Sequence, residues 1–412
     1  MRRGRGGGAV LAGCALVLPP LAVMAPLGLA PLLAVVAVLL LLLDGRRAVA
    51  AIRNVLPLAV LLAALVAWGF ASAAWSILPE HSLAEGLRLL AISAGGLVAF
   101  GAATALTAEE RDRLGLMAAV GVAAAVVLLL IERASDGALA RFALDWPRDL
   151  PLPLTRFDRG ATTLVLALWP ALMMAPRRWL EALLALAATP TVLLMESTTA
   201  KLAVVASLVV FAVALWAPRL LAGGLAAGIL VAAVALPLAM PKIDAALIAA
   251  HDAPWLKFSA RHRLFIWGFT TQRIAERPLL GWGLDASREL PGAHQDVNIL
   301  FPGAGLPPGT EVLPLHPHNA LLQWEVELGV PGTLLCLGII GWGLWRVGFA
   351  APLDRAQRAA ALAWATAALP VALLSYGIWQ EWWLSCLWLT AALSAGAARA
   401  SPPAAAPDRA GR

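Results

Sequence analysis

Two histidines and a scatter of arginines are the residues in this chain whose types and spacing could do chemistry. His316 and His318 flank Pro317 and directly precede Asn319, a favoured helix N-cap. The ALLQWEVELG run behind Asn319 reads as a helix ending at Gly329, before Pro331 and Gly332. Both imidazoles therefore lie just outside a helix amino terminus, whose free N–H groups and positive dipole end favour an anion and disfavour a protonated ring. A neutral imidazole beside a phosphate is a candidate general base; the plainer reading is a histidine that orders the turn. His-Pro-His has no third and fourth metal ligand nearby in sequence, so no metal is assigned.

The cationic candidates begin upstream. From His262 to Arg277 the pattern fits an amphipathic helix: Leu264, Phe265, Trp267 and Ile274 supply apolar surface, and Arg263, Arg273 and Arg277 supply charge. Pro278 and the Gly281-Trp282-Gly283 turn stop it. Glycines and prolines between Gly292 and Gly309 then make an irregular crossing, which can reach across a cavity mouth or stay mobile. Guanidinium groups grip phosphate oxygens in pairs and keep their charge, so arginines beside a histidine suggest a phosphate-containing ligand.

Something must position these groups, and composition says what. Of 412 residues 61% are hydrophobic and 14% are charged, against roughly 25% charged in soluble domains. A soluble protein is excluded. Long Ala/Leu/Val runs fit helices, because a spanning helix needs about 20 apolar residues and pairs its own backbone inside the bilayer. The expected fold is all-α and polytopic, with about twelve transmembrane helices: near 9 to 26, 27 to 43, 55 to 72, 88 to 106, 114 to 131, 160 to 176, 181 to 195, 201 to 217, 220 to 240, 328 to 348, 359 to 377 and 382 to 397. Residues 1–412 then form one membrane domain, with a large loop over 241–327 inserted before the tenth span. Cys14, Cys336 and Cys386 fall inside apolar runs and suggest neither disulfides nor a metal cluster. Leu11-Ala12-Gly13-Cys14 resembles a lipobox, but Ala9 and Val10 alone are too short an apolar lead, and Arg2, Arg3 and Arg5 read better as the anchor of a first span.

The tails and alternate loops hold Arg2, Arg3, Arg5, Arg46, Arg47, Arg53, Arg111, Arg113, Arg177, Arg178, Arg219, Arg346, Arg355, Arg358, Arg399, Arg409 and Arg412, 17 of the 31 cations. The positive-inside rule makes that side cytoplasmic, with both termini on it and the large loop outside. Arg88, Arg159 and Lys201 are the exceptions that matter, each at the outer mouth of a span, where a cation snorkels to headgroups, pairs, or meets an anion. WSILPEHSLAEGLR brings Glu80, His81 and Glu85 ahead of Arg88. A second outer loop, broken by Pro147, Pro151 and Pro153, ends with Arg156 and Arg159 before the sixth span. The hairpin from Glu196 to Lys201 is too short for more than a few polar contacts.

The ordered motifs Arg263-Leu264-x-x-Trp267 with Ile274-x-x-x-Pro278-Leu279-Leu280-Gly281-x-Gly283, and His316-x-His318-Asn319-x-x-Leu322-Gln323-x-x-x-Glu327-x-Gly329-x-x-Gly332, resemble the O-antigen ligase and polymerase superfamily. The twelve-span layout with a large periplasmic loop resembles it too. That resemblance implies an enzyme of the bacterial inner membrane, its active site facing the periplasm, that moves a glycan from undecaprenyl pyrophosphate to an acceptor without metal, nucleotide or other cofactor. In the ligase branch the acceptor is lipid A-core; membrane lipids are the other partners, and no nucleic acid is implied. A polymerase or a protein O-oligosaccharyltransferase would show the same motifs. A lipid-linked glycan transporter is the alternative of another class, but it should carry charges within its spans.

By position, the family's loop arginine falls on Arg263 and its essential histidine on His318, which gives these two the catalytic roles. Arg159-Gly160 and Ser197 to Lys201 match shorter family stretches. The substrate-binding set is then Arg159, Arg88, Arg156, Lys201, Arg261, His316 and Asn319. Gly268, where a larger residue is usual, and the additional Arg261 depart from the pattern.

Overall fold

The computed structural model describes residues 6–147, 149–175, 177–249, 258–302, 304–351 and 353–398, and the side chains of all of these except 241–249. Arg2, Arg3, Arg5, Arg148, Lys257, Arg399, Arg409 and Arg412 lie outside the described residues. The described chain is helical, with no strand among its residues. In order the helices are α1 (Gly6–Met24), α2 (Leu29–Ile52), α3 (Leu56–Ser72), α4 (Pro79–Thr104), α5 (Ala108–Ala134), α6 (Ala138–Leu144), α7 (Asp158–Met174), α8 (Arg178–Leu194), α9 (Thr198–Ala214), α10 (Pro218–Ala249), α11 (Phe258–Glu276), α12 (Val297–Leu300), α13 (Ala320–Trp345), α14 (Arg355–Leu374) and α15 (Glu381–Ala397). Each of the twelve expected spans overlaps one of them, and α6, α11 and α12 fall in the connecting loops. Among the described residues, seven helical stretches are long and apolar enough to cross a membrane, one of them the run from Pro26 to Ser72 that holds α2 and α3.

Local chemistry sets the helix starts. Thr107 and Asp354 form capping boxes with Glu110 and Gln357, and the Ser197 side chain accepts from Ala200 N. Two expected boundaries move. The fourth helix begins at Pro79, so Glu80, His81, Glu85 and Arg88 ride on its first turns, where the sequence reading had a loop. Proline at the first turn and Glu80 at the positive helix end both favour that earlier start. Likewise Thr198 to Lys201 form the first turn of α9 and not a hairpin.

The bundle packs around α7, where every residue from Gly160 to Ala171 is buried. Its neighbours approach closely through glycines, as membrane helices do in the absence of a hydrophobic drive between them. A Cβ on Gly121 would stand 2.4 Å from the Ala15 carbonyl oxygen, and one on Gly160 2.7 Å from Val23 Cα. By contrast α10 leaves Leu230, Val231, Val234 and Leu238 exposed, an apolar face suited to lipid.

The segment between α10 and α13 carries a small core of its own. Phe265, Phe269, Trp282, Val297, Phe301, Leu306 and Val312 are buried together against Leu322 and Val326 of α13. Asp296 fastens the Gly/Pro-rich crossing, capping α12 through Asn298 N at 2.7 Å and accepting from Gly309 N at 2.5 Å. The crossing is thereby built into a packed unit. Its seat is the break in α13 at Gly329 (φ +61°), which faces Gly281 (φ +70°) so closely that a Cβ on Gly281 would lie 2.4 Å from the Glu327 carbonyl. Only glycine tolerates both the left-handed backbone and that contact.

Candidate active site

The His-Pro-His turn is held from three sides. Asn319 caps α13, its side-chain oxygen accepting from Leu321 N at 3.1 Å and Leu322 N at 3.2 Å. Trp267 of α11 donates its indole N–H to the Pro317 carbonyl at 2.9 Å. His318 itself has φ +56°, a left-handed conformation that non-glycine residues adopt at a cost of order 1–3 kcal/mol and that clusters at functional sites. The third support is the short connection between α14 and α15, Ser375 to Gln380, which approaches both histidine rings.

Hydrogen bonding separates the two histidines. His318 Nδ1 donates to the Ser375 carbonyl, which can only accept, so Nδ1 carries the proton and Nε2 the lone pair. Among the described residues no hydrogen bond engages His318 Nε2. His316 has Gly377 N at 3.1 Å from Nε2 and His318 N at 3.2 Å from Nδ1. A neutral imidazole offers one in-plane lone pair, so the His316 ring is already committed to ordering the backbone. The ring centroids are 4.2 Å apart, edge to face. Burial pushes both rings down, His316 to about 3 and His318 to about 4. The Arg263 charge adds to the effect on each, while the Ser375 carbonyl opposes it at His318. The neutral state expected from the helix end is present, but burial is its largest cause.

Arg263 acts on the histidines of this turn, and Arg159 lies over the aromatic rings of the connection that supports it. Arg263 lies within the electrostatic reach of both imidazoles, and burial lowers its own pKa. Its Nη1 donates to Ser259 O at 3.2 Å and its buried Nε has no partner. The Arg159 guanidinium lies 5.9 Å from the Tyr376 ring centroid and 5.3 Å from that of Trp382. Tyr376 and Trp382 stack edge to face at 4.6 Å. Among the described residues neither arginine has a carboxylate within ion-pair distance. Aromatic faces attract a cation, by roughly 0.5–2 kcal/mol, without satisfying its N–H donors, so the Arg159 fork stays available to an anion.

The remaining expected contacts have other partners. Arg88 is paired with Glu85 and with Glu381, the latter at 3.2 Å, at a mouth lined by Leu284 and Trp379. Lys201 interacts with Asp158, and Arg156 with Glu132. Arg261 donates to the Ala304 carbonyl at 2.9 Å and so braces the crossing. His316 and Asn319 shape the turn through the bonds described above. The structure thus places Arg263 within electrostatic reach of His318 and Arg159 on the rings next to the Ser375 carbonyl that His318 engages, while Arg88 is paired with carboxylates and Arg261 with a carbonyl.

The sequence reading passed over the Ser375–Gln380 connection. It holds the chain's single tyrosine and precedes Trp382-Trp383, an aromatic concentration at an outer hairpin that could have drawn notice. Its contribution to His318 is a backbone carbonyl, which no residue type advertises. A second missed group is His81, Glu85 and Asp285, whose ligand-type atoms lie within 4.8 Å of one another. Arg88 and Arg288, the latter 2.7 Å from Asp285, already neutralise those carboxylates.

Comparison with known proteins adds a family likeness. A family model described as O-antigen ligase matches residues 182–337, from α8 through the loop to the middle of α13. A Rickettsia conorii protein named "Putative polysaccharide ligase" is 27% identical over 325 residues, 77% of this chain and 74% of that one. Its Rickettsia felis namesake is 26% identical over 322 residues, 77% of this chain and 75% of the relative. A Rickettsia typhi protein of the same description is 36% identical over 138 residues, 32% of this chain and 31% of its own length. The chain thus carries a match to the O-antigen ligase family model over residues 182–337, and over most of its length it is similar to proteins named as polysaccharide ligases.

Proposed function

We propose that the protein is a polysaccharide ligase that moves a glycan from undecaprenyl pyrophosphate to lipid A-core at the periplasmic face of the bacterial inner membrane, with both termini cytoplasmic. The observation that carries this reading is one imidazole whose Nε2 lone pair, and two guanidiniums whose charge, meet no hydrogen-bond or carboxylate partner respectively among the described residues. That combination suits displacement of a pyrophosphate by a hydroxyl. The acceptor hydroxyl gives its proton to His318 Nε2 as its oxygen forms a bond to the anomeric carbon. The bond from that carbon to the pyrophosphate oxygen breaks on the opposite face, giving inversion, and the lipid pyrophosphate leaves with the electron pair. Base catalysis of this type contributes about 100- to 10,000-fold.

Arg263 and Arg159 take up the charge that develops on the leaving oxygens, the neutralising role a metal ion fills in other phosphate chemistry. Their half-buried setting strengthens that interaction relative to water. Arg88, Arg156, Lys201 and Arg261 shape the outer basin, and His316 and Asn319 hold the turn.

Lipopolysaccharide and lipid-linked glycan extracted from a deletion strain test the assignment. Loss of the polymer ladder from lipid A-core, with full-length polymer retained on the carrier, is expected. Accumulation of single repeat units would make the protein a polymerase, and donor trapped on the cytoplasmic side would make it a transporter.

A further inference from the structure

Glu327 has no place in the displacement just described, yet it is fully buried in α13 with a relative exposure of 0%. Its carboxylate accepts from three donors: Gln323 Nε2 at 3.0 Å, the Trp379 indole at 2.5 Å and Asp285 N at 3.1 Å. A buried carboxylate is tolerated only when its oxygens are satisfied in this way. Gln323, one turn earlier on the same face of α13, passes the order on, its Oε1 accepting from Ile378 N at 3.0 Å. Both side chains therefore grip the Ser375–Gln380 connection, and that connection in turn grips the histidines through the Ser375 carbonyl and Gly377 N.

The bonds close a ring: Glu327 and Gln323, then Trp379 and Ile378, then Gly377 and Ser375, then His316 and His318, and back through the Asn319 cap to α13. Apart from the His316 ring, which faces two backbone N–H groups, every member has a fixed direction, since a carboxylate and a carbonyl accept and an indole and a backbone N–H donate. Gln323 cannot turn its amide to suit a new neighbour without setting its NH2 against Ile378 N–H. The same carboxylate anchors the Gly281 to Asp285 turn through Asp285 N, so two outer loops are referenced to one group.

We propose that Glu327, relayed by Gln323 and Trp379, is the positioning residue that fixes the tautomer and aim of His318, acting through the Ser375–Gln380 connection and never touching substrate. This rests on the glycosyl-transfer reading above. Glu327→Gln is close to isosteric and places an NH2 where donors already point, so at least one of the three contacts becomes donor against donor. The connection then loosens, and His318 Nδ1 loses its acceptor.

The test uses the full-length protein in proteoliposomes with lipid-linked glycan donor and lipid A-core acceptor, comparing wild type, Glu327→Gln, Trp379→Phe and His318→Ala. Glu327→Gln is expected to lower kcat about 10- to 100-fold, the scale of a mispositioned catalytic group, with KM for the donor changed less than about twofold. Trp379→Phe removes one of the three donors and should lower kcat less, giving an independent reading if the glutamine variant does not fold. Nitrogen-15 spectra of histidine-labelled protein, with the His318 signals assigned by their loss in His318→Ala, should show a protonated Nδ1 in wild type and a mixture of tautomers in Glu327→Gln. A wild-type kcat and an unchanged tautomer in Glu327→Gln would overturn the positioning role while leaving the ligase reading intact. Wild-type transfer by His318→Ala would instead remove the reading on which the proposal rests.

Discussion

Acid should leave this enzyme working where a solvent-exposed histidine would already have failed. The perturbation is pH, and its size follows from the burial of His318, which lowers the ring from the ordinary 6.5 to about 4. At pH 5.5 an imidazole titrating at 6.5 is about 9% neutral, and one titrating at 4 about 97% neutral. Between pH 7.5 and pH 5.5 the transfer rate should then stay within a few per cent as far as the base is concerned, whereas an unperturbed base would lose about tenfold. The assay is initial-rate glycan transfer in proteoliposomes under kcat/KM conditions, because that parameter reports the ionisations of the free enzyme. Donor binding measured at each pH separates titration of the pyrophosphate from that of the protein. The account requires an acid limb centred near pH 4. A limb centred near 6.5 would refute the buried, carbonyl-held imidazole, and a rate insensitive to acid down to pH 3 would refute His318 as the base.

The remaining predictions concern the same turn and its surroundings. Stability in detergent should fall as the pH drops from 6.5 towards 4, because the unfolded chain takes up protons on His316 and His318 that the folded chain, with both rings lowered, refuses; raising the pH should restore it, as read from thermal melts. A melt that is flat across this window would count against neutral burial of the pair. Arg263→Lys should weaken donor binding about tenfold in a filter or fluorescence titration, since a point charge cannot reproduce a fork, and unaltered affinity would argue that Arg263 grips nothing. Arg159→Ala should cost at least tenfold more donor affinity than Arg88→Ala, because the former sits on aromatic faces and the latter already has two carboxylates. Equal losses would show that partner chemistry does not decide which cation meets the donor.

Architecture was largely legible in the sequence because membrane spans are written in long apolar runs, and the Asn319 cap, the Gly329 break and the Gly281–Gly283 turn each follow from one residue type with one physical need. Two stretches were less legible. The charged residues from Glu80 to Arg88 resemble loop, yet Pro79 and Glu80 start a helix there, so Arg88 faces Glu85 and Glu381 and does not stand alone. Similarly, glycines and prolines from Gly292 to Gly309 allowed either a packed crossing or a mobile one. The buried Val297, Phe301 and Leu306, spaced irregularly, decided for packing. Pairings across the fold could not be read at all. That Arg159 would rest on Tyr376 and Trp382, or that His318 would find a carbonyl in the connection before α15, depends on helices far apart in sequence meeting at one end of the bundle.

The central claim is that His318 removes the acceptor proton while the arginines hold the donor, and His318→Ala in proteoliposomes tests it most directly. The account predicts a variant that folds and binds lipid-linked glycan as wild type does, with transfer reduced by at least about 100-fold. Transfer at a near-normal rate, with binding intact, would contradict it.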